Sequence, residues 1–182
     1  MQKHIDSLIK ACKEGNRVAQ MRVYDQYAQA MFTIAFRYLK NEEEAKDVMQ
    51  EGFLKAFINI ENYRPEATFG AWLKRIIINQ CLDTLKKGKL AFSDTEVETL
   101  IIIDDNNWEF DTSIAKQDIL NAIEQLNQKH KIVVQLYLVE GYDHQEVSEI
   151  LNIPVKTSRT HLSRGKAELR NLLKSKYNEA RY

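Results

Sequence analysis

Proline occurs only twice and glycine six times in 182 residues. So few chain-breaking residues favour a mostly helical protein. Cysteine also occurs twice, as Cys12 and Cys81, far apart and in no CxxC pair. That spacing argues against a disulfide framework or a zinc site and suits a reducing cytoplasm. No apolar run approaches the ~20 residues needed to span a bilayer. The opening MQKHIDSLIKACKEG lacks the apolar centre of a signal peptide. A cytoplasmic protein with no direct membrane insertion is therefore expected. Net charge is missing as well, with 26 basic residues against 26 acidic ones. Neutrality argues against indiscriminate coating of nucleic acid, although it leaves room for a local basic face.

Catalytic signatures are absent. The chain carries no GxSxG, no HExxH and no glycine-rich phosphate loop, and His4, His130, His144 and His161 are scattered without ligand spacing. The expectation is a protein that is not an enzyme, with no catalytic residue, metal, cofactor or small-molecule substrate.

What is present is a globular composition, 44% hydrophobic and 29% charged, in a chain long enough for one medium domain or two small ones. Helical periodicity starts at once. Ile5, Leu8, Ile9 and Cys12 form an apolar stripe that ends at Gly15-Asn16. A second helix is predicted from about Arg17 to Leu39, with Val18, Met21, Tyr24, Ala28, Met31 and Ala35 on its apolar side. Asn41 and Glu44 have the spacing of a helix start with acids in the first turn. The third helix then places Ala45, Val48, Phe53 (or Met49), Ala56 and Phe57 inward. Pro65 interrupts the pattern in ENYRPEAT, and FGAWLKRIIINQCLDTLKK resumes it as a fourth helix.

From Gly88 to Thr112 the periodicity lapses. Asp94, Glu96, Glu98, Asp104, Asp105, Glu109 and Asp111 face one base, Lys89, around the apolar island TLIII. This reads as an acidic linker, long enough to mark a boundary. Helices return with IAKQDILNAIEQL and KHKIVVQLYLVE. Asp143 then caps HQEVSEIL, Asn152-Ile153-Pro154 turns, and a long helix starts near Val155. The expected fold is all-α, with two small helical domains: 1–88, a linker over 89–112, and 113–182.

A short helix, a tight turn and a longer helix make a helix-turn-helix. The stretch NIPVKTSRTHLSRGKAELR holds Lys156, Arg159, Arg164, Lys166 and Arg170 against one acid, Glu168. Lys156, Arg159, Ser163, Lys166, Arg170 and Lys174 recur at steps of three and four, away from Leu162 and Leu169. Such a stripe can meet phosphates while the start of the helix reads base edges in the major groove. Lys156, Thr157, Ser158 and Arg159 are the base-facing candidates, and His161, Arg164 and Lys166 follow on bases or backbone.

EAKDVMQEGFLKAF, FGAWLKRIIINQCLD and the trailing Lys86-Lys87 resemble the second region of bacterial sigma factors of the extracytoplasmic-function (ECF) class. YDHQEVSEILNIPVKTSRTHLSRGKAELR is similar to the fourth region of the same class. The two matches occur in order and cover nearly the whole chain. The resemblance implies a promoter-specificity subunit whose partners are core RNA polymerase, promoter DNA and an anti-sigma factor. It implies that Asp47, Gln50, Glu51, Phe53 and Leu54 bind core polymerase. It further implies that Asn62, Tyr63, Arg64, Arg75, Asn79, Lys86 and Lys87 handle the melted minus-ten element, and the helix-turn-helix the minus-thirty-five element. Trp72 and Asp83 are expected to be structural. The sequence departs from the family at Ser158, where an apolar residue is usual, and at His161, where arginine is usual. His161→Arg is accordingly expected to strengthen promoter binding. A helix-turn-helix regulator that acts without replacing sigma is the alternative reading.

Overall fold

The computed structural model describes residues 2–87 and 115–179. The acidic segment 89–112, with its Leu100–Ile103 island, lies outside the described residues. The chain divides into two compact units, Met1–Ala91 and Phe92–Tyr182. Every regular element among the described residues is helical.

In the first unit, α1 spans Gln2–Lys13, α2 Arg17–Leu39, α3 Glu42–Ile58 and α4 Phe69–Lys87. Local chemistry sets the boundaries. Asn16 caps α2 by accepting from the Ala19 amide at 3.0 Å, and Gly15 supplies the left-handed turn before it, at φ 78°. Lys40 closes α2 in the left-handed region, at φ 58°. One residue later Asn41 accepts from the amides of Glu43 and Glu44 and opens α3. This two-residue connection makes α2 and α3 an antiparallel pair, and α4 packs on both. The Tyr24 ring lies 4.8 Å from that of Phe53, which fixes their register.

The core consists of Val23, Ala35, Ala45, Phe53, Ala56, Phe69, Leu73, Ile77, Ile78 and Cys81, with their neighbours. Gly52 lets α3 approach α4, because a Cβ there would run into the side chain of Ile77. On α2 the structure corrects the expected apolar side. Val18 is 64% exposed and Met21 61%, while Ala19, Val23, Ile34 and Tyr38 face inward. The helix has apolar residues on more than one face, so periodicity alone does not say which one packs.

In the second unit, α5 spans Lys116–Glu124 and α6 Gln128–Val134, which runs on as a π-helical turn over Gln135–Val139. Gly141 (φ 82°) ends that run. α7 spans His144–Leu151, and α8 spans Val155–Glu179. Asp143 and Glu146 form a reciprocal capping box at the start of α7. The Glu146 amide donates to Asp143 Oδ1 at 2.8 Å, and the Asp143 amide to Glu146 Oε2 at 2.9 Å. Asn152 takes the left-handed conformation that ends α7, at φ 55° and ψ 49°. Helix α8 packs on α5, α6 and α7 through Leu162, Leu169 and Leu173.

Gly165 sets how closely α8 meets α6. A Cβ there would lie 2.5 Å from Val134 Cγ2 and 3.3 Å from His130 Cβ. Valine has one side-chain torsion with which to yield, and a Cβ yields only with its backbone. Gly165→Val is expected to lower the stability of the second unit by about 1–3 kcal/mol through overpacking. Denaturant unfolding of the full chain reads this directly, and an unchanged midpoint would mean that α8 sits further from α6.

Candidate nucleic-acid interface

Helix α8 separates its residues by face. Ser158, Thr160, His161, Leu162, Gly165 and Leu169 are buried, whereas Lys156, Arg159 and Lys174 are exposed. Thr157, Ser163, Arg164, Lys166 and Arg170 are half-buried. The basic row therefore borders the outer face of the helix that packs on α5, α6 and α7.

Two expected DNA contacts are corrected. Ser158 is 0% exposed and His161 1%, so neither side chain is available to a base or a phosphate. Both lie on the inner face, three residues apart, where helical spacing carries them onto α6 and α7. The His161 ring packs 5.4 Å from that of His130. Ser158 Oγ lies 2.9 Å from His144 Nδ1 on α7. The departures from the family at these positions are thus internal to the domain, and the expected gain from His161→Arg loses its basis.

The one acid of the basic stretch also has an internal role. Glu168 Oε1 is 2.7 Å from His130 Nδ1, and Oε2 accepts from the Asn127 amide at 3.2 Å. A single carboxylate thereby holds α8 to the start of α6. Glu168 is half-buried, as Arg164, Lys166 and Arg170 are, and both of its carboxylate oxygens are engaged at the start of α6.

His144 begins α7 with its ring 4.6 Å from that of Tyr137. Burial holds its pKa below the ordinary 6.5, and the cations of Arg159 and Lys166 act in the same direction, while Asp143 opposes them. The ring therefore favours the neutral form in the fold.

The first unit carries a second cluster of candidate residues around the segment that links α3 to α4. A 3₁₀ turn over Ile60–Asn62 leads to Tyr63. The Tyr63 ring packs against both Phe69 and Trp72, at 5.4 Å and 5.6 Å, and its hydroxyl donates to the Ala67 carbonyl at 3.0 Å. Tyr63 is only 7% exposed. This corrects its expected role as a base-contacting side chain: the ring supports the loop from inside. Arg64 is exposed, and its guanidinium donates back to the Glu61 carbonyl at 2.6 Å, bracing the same loop. Asn62 is exposed, Trp72 is half-buried, and Thr68 caps α4 by accepting from the Ala71 amide at 3.2 Å. Along α4, Arg75 is half-buried, while Asn79, Asp83, Lys86 and Lys87 are exposed. Lysines at the end of α4 also complement the negative end of the helix dipole.

On α3 the residues Asp47, Gln50, Glu51 and Leu54 are exposed. Phe53 is not, at 2%. Its ring packs against Tyr24 and, at 6.1 Å, Phe57, so its expected place on the polymerase surface is corrected to the core. Sequence reasoning missed Ile58, 79% exposed and four residues beyond Leu54, itself 63% exposed. Val18 and Met21 stand at the same end of the α2–α3 pair. Spacing from Leu54 along α3 was the available signal for Ile58. Lys55 ties this face to α4 by pairing with Glu51 at 3.5 Å and donating to buried Gln80.

The two cysteines are buried. Burial pushes the Cys81 thiol up to about 12 and raises Cys12 as well, so both remain protonated and unreactive near neutrality. Among the described residues no helix is long and apolar enough to cross a membrane.

Residues 23–90 match the family described as Sigma-70 region 2, and residues 116–169 match Sigma-70, region 4. The chain is 31% identical over 186 residues to the ECF RNA polymerase sigma factor SigW of Bacillus subtilis, covering 96% of this chain and 99% of that one. Its fold is similar to that of the sigma factor RpoE of Bartonella quintana, solved with the anti-sigma factor NepR. There the TM-score is 0.56 at 17% identity, over 85% of this chain and 96% of that one. A structure of CnrH with the cytosolic domain of CnrY gives a TM-score of 0.55 at 20% identity, over 92% and 96%. The chain belongs to the ECF family of RNA polymerase sigma factors, the promoter-specificity subunits of the bacterial enzyme.

Proposed function

We propose that the two units divide promoter recognition between them. Residues 1–88 bind core polymerase and the melted minus-ten element, 89–112 connect, and 113–182 read the minus-thirty-five element. The observation that carries this reading is the sidedness of α8, with Lys156 and Arg159 exposed opposite a buried inner face. Lys156, Thr157 and Arg159 meet the major groove, and Arg164 and Lys166 contact the backbone.

In the first unit the exposed row Asp47, Gln50, Glu51, Leu54 and Ile58 meets core polymerase. Apolar anchors supply affinity there, and the carboxylates supply register. Asn62 and Arg64 face the unpaired minus-ten strand beside Trp72, and Arg75, Asn79, Lys86 and Lys87 hold its backbone. The protein acts in the cytoplasm and performs no chemistry of its own; polymerase supplies it. A partner anti-sigma factor covers the polymerase-binding faces, by analogy with the NepR complex of the Bartonella relative.

The test is multi-round transcription of a genomic promoter library by core polymerase, with and without this chain. New start sites sharing two upstream elements are the expected result. Arg159→Ala should weaken dependence on the upstream element alone, by about tenfold. No new start sites, with no stable complex with core enzyme, would favour a regulator that does not replace sigma.

A further inference from the structure

The contact between His144 and Ser158 joins the two helices of the helix-turn-helix at the point where the second one starts. His144 is the first residue of α7. Ser158 lies one turn into α8, between Thr157 and Arg159, and its amide donates to the Pro154 carbonyl at 3.1 Å. Oγ and Nδ1 are 2.9 Å apart, and Ser158 is 0% exposed. No water reaches the hydroxyl, so its proton depends on the ring beside it.

We propose that His144 is a positioning residue for promoter reading: through Ser158 it seats the first turn of α8 so that Lys156, Thr157 and Arg159 meet the DNA at a fixed angle. This rests on the reading of α8 as the minus-thirty-five helix. With its proton on Nε2, the tautomer this seat requires, the neutral ring accepts the hydroxyl proton at Nδ1. An imidazolium carries a proton on Nδ1 and must donate to Oγ instead. The hydroxyl is then forced to redirect its own proton within a buried site. The charged groups around the ring add to this conflict. Arg159 and Lys166 face it from α8, Asp143 precedes it on its own helix, and the π-helical turn contributes the uncharged Tyr137.

The sign of the pH effect follows. His144 has a lowered pKa in the fold, so its neutral seat contributes fully above the unfolded value of about 6.5. That contribution is lost as pH falls from there through the lower folded value. A new positive charge beside DNA would by itself strengthen binding to every sequence. The informative quantity is therefore the ratio of affinities for promoters with the upstream element intact and replaced.

Holoenzyme assembled from core polymerase and the full chain is bound to both kinds of fragment, taken from the start sites that the promoter-library experiment identifies. His144→Ala and Ser158→Ala should each lower the ratio about fivefold at pH 7.5, and the double variant no further. The wild-type ratio should hold from pH 7.5 to about 6.5 and fall as the pH goes lower, through the folded value. His144→Asn, whose Oδ1 can accept in place of Nδ1 without titrating, should keep the ratio and flatten the profile. A ratio changed by less than about twofold in His144→Ala, or an unaltered slope in His144→Asn, overturns the proposal. If Arg159→Ala leaves the ratio unchanged, the reading of α8 fails instead. Amide exchange over Thr157–Thr160 in the free chain then decides the seating by itself. Faster exchange in His144→Ala supports the proposal, and unchanged exchange overturns it.

Discussion

Phe69→Ala should lower the stability of the first unit by about 3–5 kcal/mol, the cost of emptying a large aromatic site in a packed core. Phe69 is 0% exposed. Its ring stands 5.6 Å from Tyr27, 5.4 Å from Tyr63 and 5.5 Å from Trp72, so one truncation removes three aromatic pairs together with the buried area. A domain of this size is stable by about 5–15 kcal/mol in all. The variant therefore loses a large share of the total. The effect also reaches the interface, because Tyr63 is held by Phe69 on one side and by its bond to Ala67 on the other. Without the ring, the loop from Asn62 to Thr68 should be cleaved by protease well before the rest of the unit. Denaturant unfolding of the full chain and limited proteolysis measure the two consequences separately. A loss under about 1 kcal/mol, or a loop no more sensitive than before, would mean that the cluster repacks around the gap. Phe69→Leu, which keeps most of the volume, should recover most of the stability.

Leu54→Asp with Ile58→Asp should weaken holoenzyme assembly at least ~100-fold while leaving the fold intact. Both side chains are largely exposed, at 63% and 79%, so a carboxylate there costs the free protein little. An interface that buries them loses two apolar anchors and must desolvate two charges, each a penalty of kcal/mol size. Titration against core polymerase gives the affinity, and thermal unfolding of the free chain checks the fold. Assembly within a few-fold of wild type would exclude this end of α3 from the polymerase contact. In that event the neighbouring Val18 and Met21 would be the next residues to exchange.

Much of the fold was legible because its signals are local. Asn41, Asp143 and Asn152 mark helix ends by side-chain chemistry that operates within three or four residues, and each does so here. The basic character of α8 was legible for the same reason. Facing was harder to read. Helix α2 offers apolar residues on several sides, and its period selects Val18 and Met21 as readily as Ala19 and Val23. Phe53 and Leu54 are adjacent and equally apolar, yet one is core and the other surface. Tyr63, Ser158 and His161 look like nucleic-acid contacts because their chemistry suits that purpose. The fold buries them instead, Tyr63 and Ser158 on internal hydrogen-bond partners and His161 against the His130 ring.

The helices, their order, their caps and the concentration of charge near the end of the chain can be read without any long-range contact. These depend on spacing and on short-range side-chain chemistry, which the linear order contains in full. Packing settles which polar residues of α8 turn inward, how Glu168 is tied to the start of α6, and which apolar residues of α3 stay outside. Those outcomes depend on which neighbouring helix supplies a partner and on how closely Gly52 and Gly165 let it approach. The residues that settle them, such as Ser158 with His144 and Glu168 with Asn127, are separated by 14 and 41 positions. No local pattern connects positions so far apart.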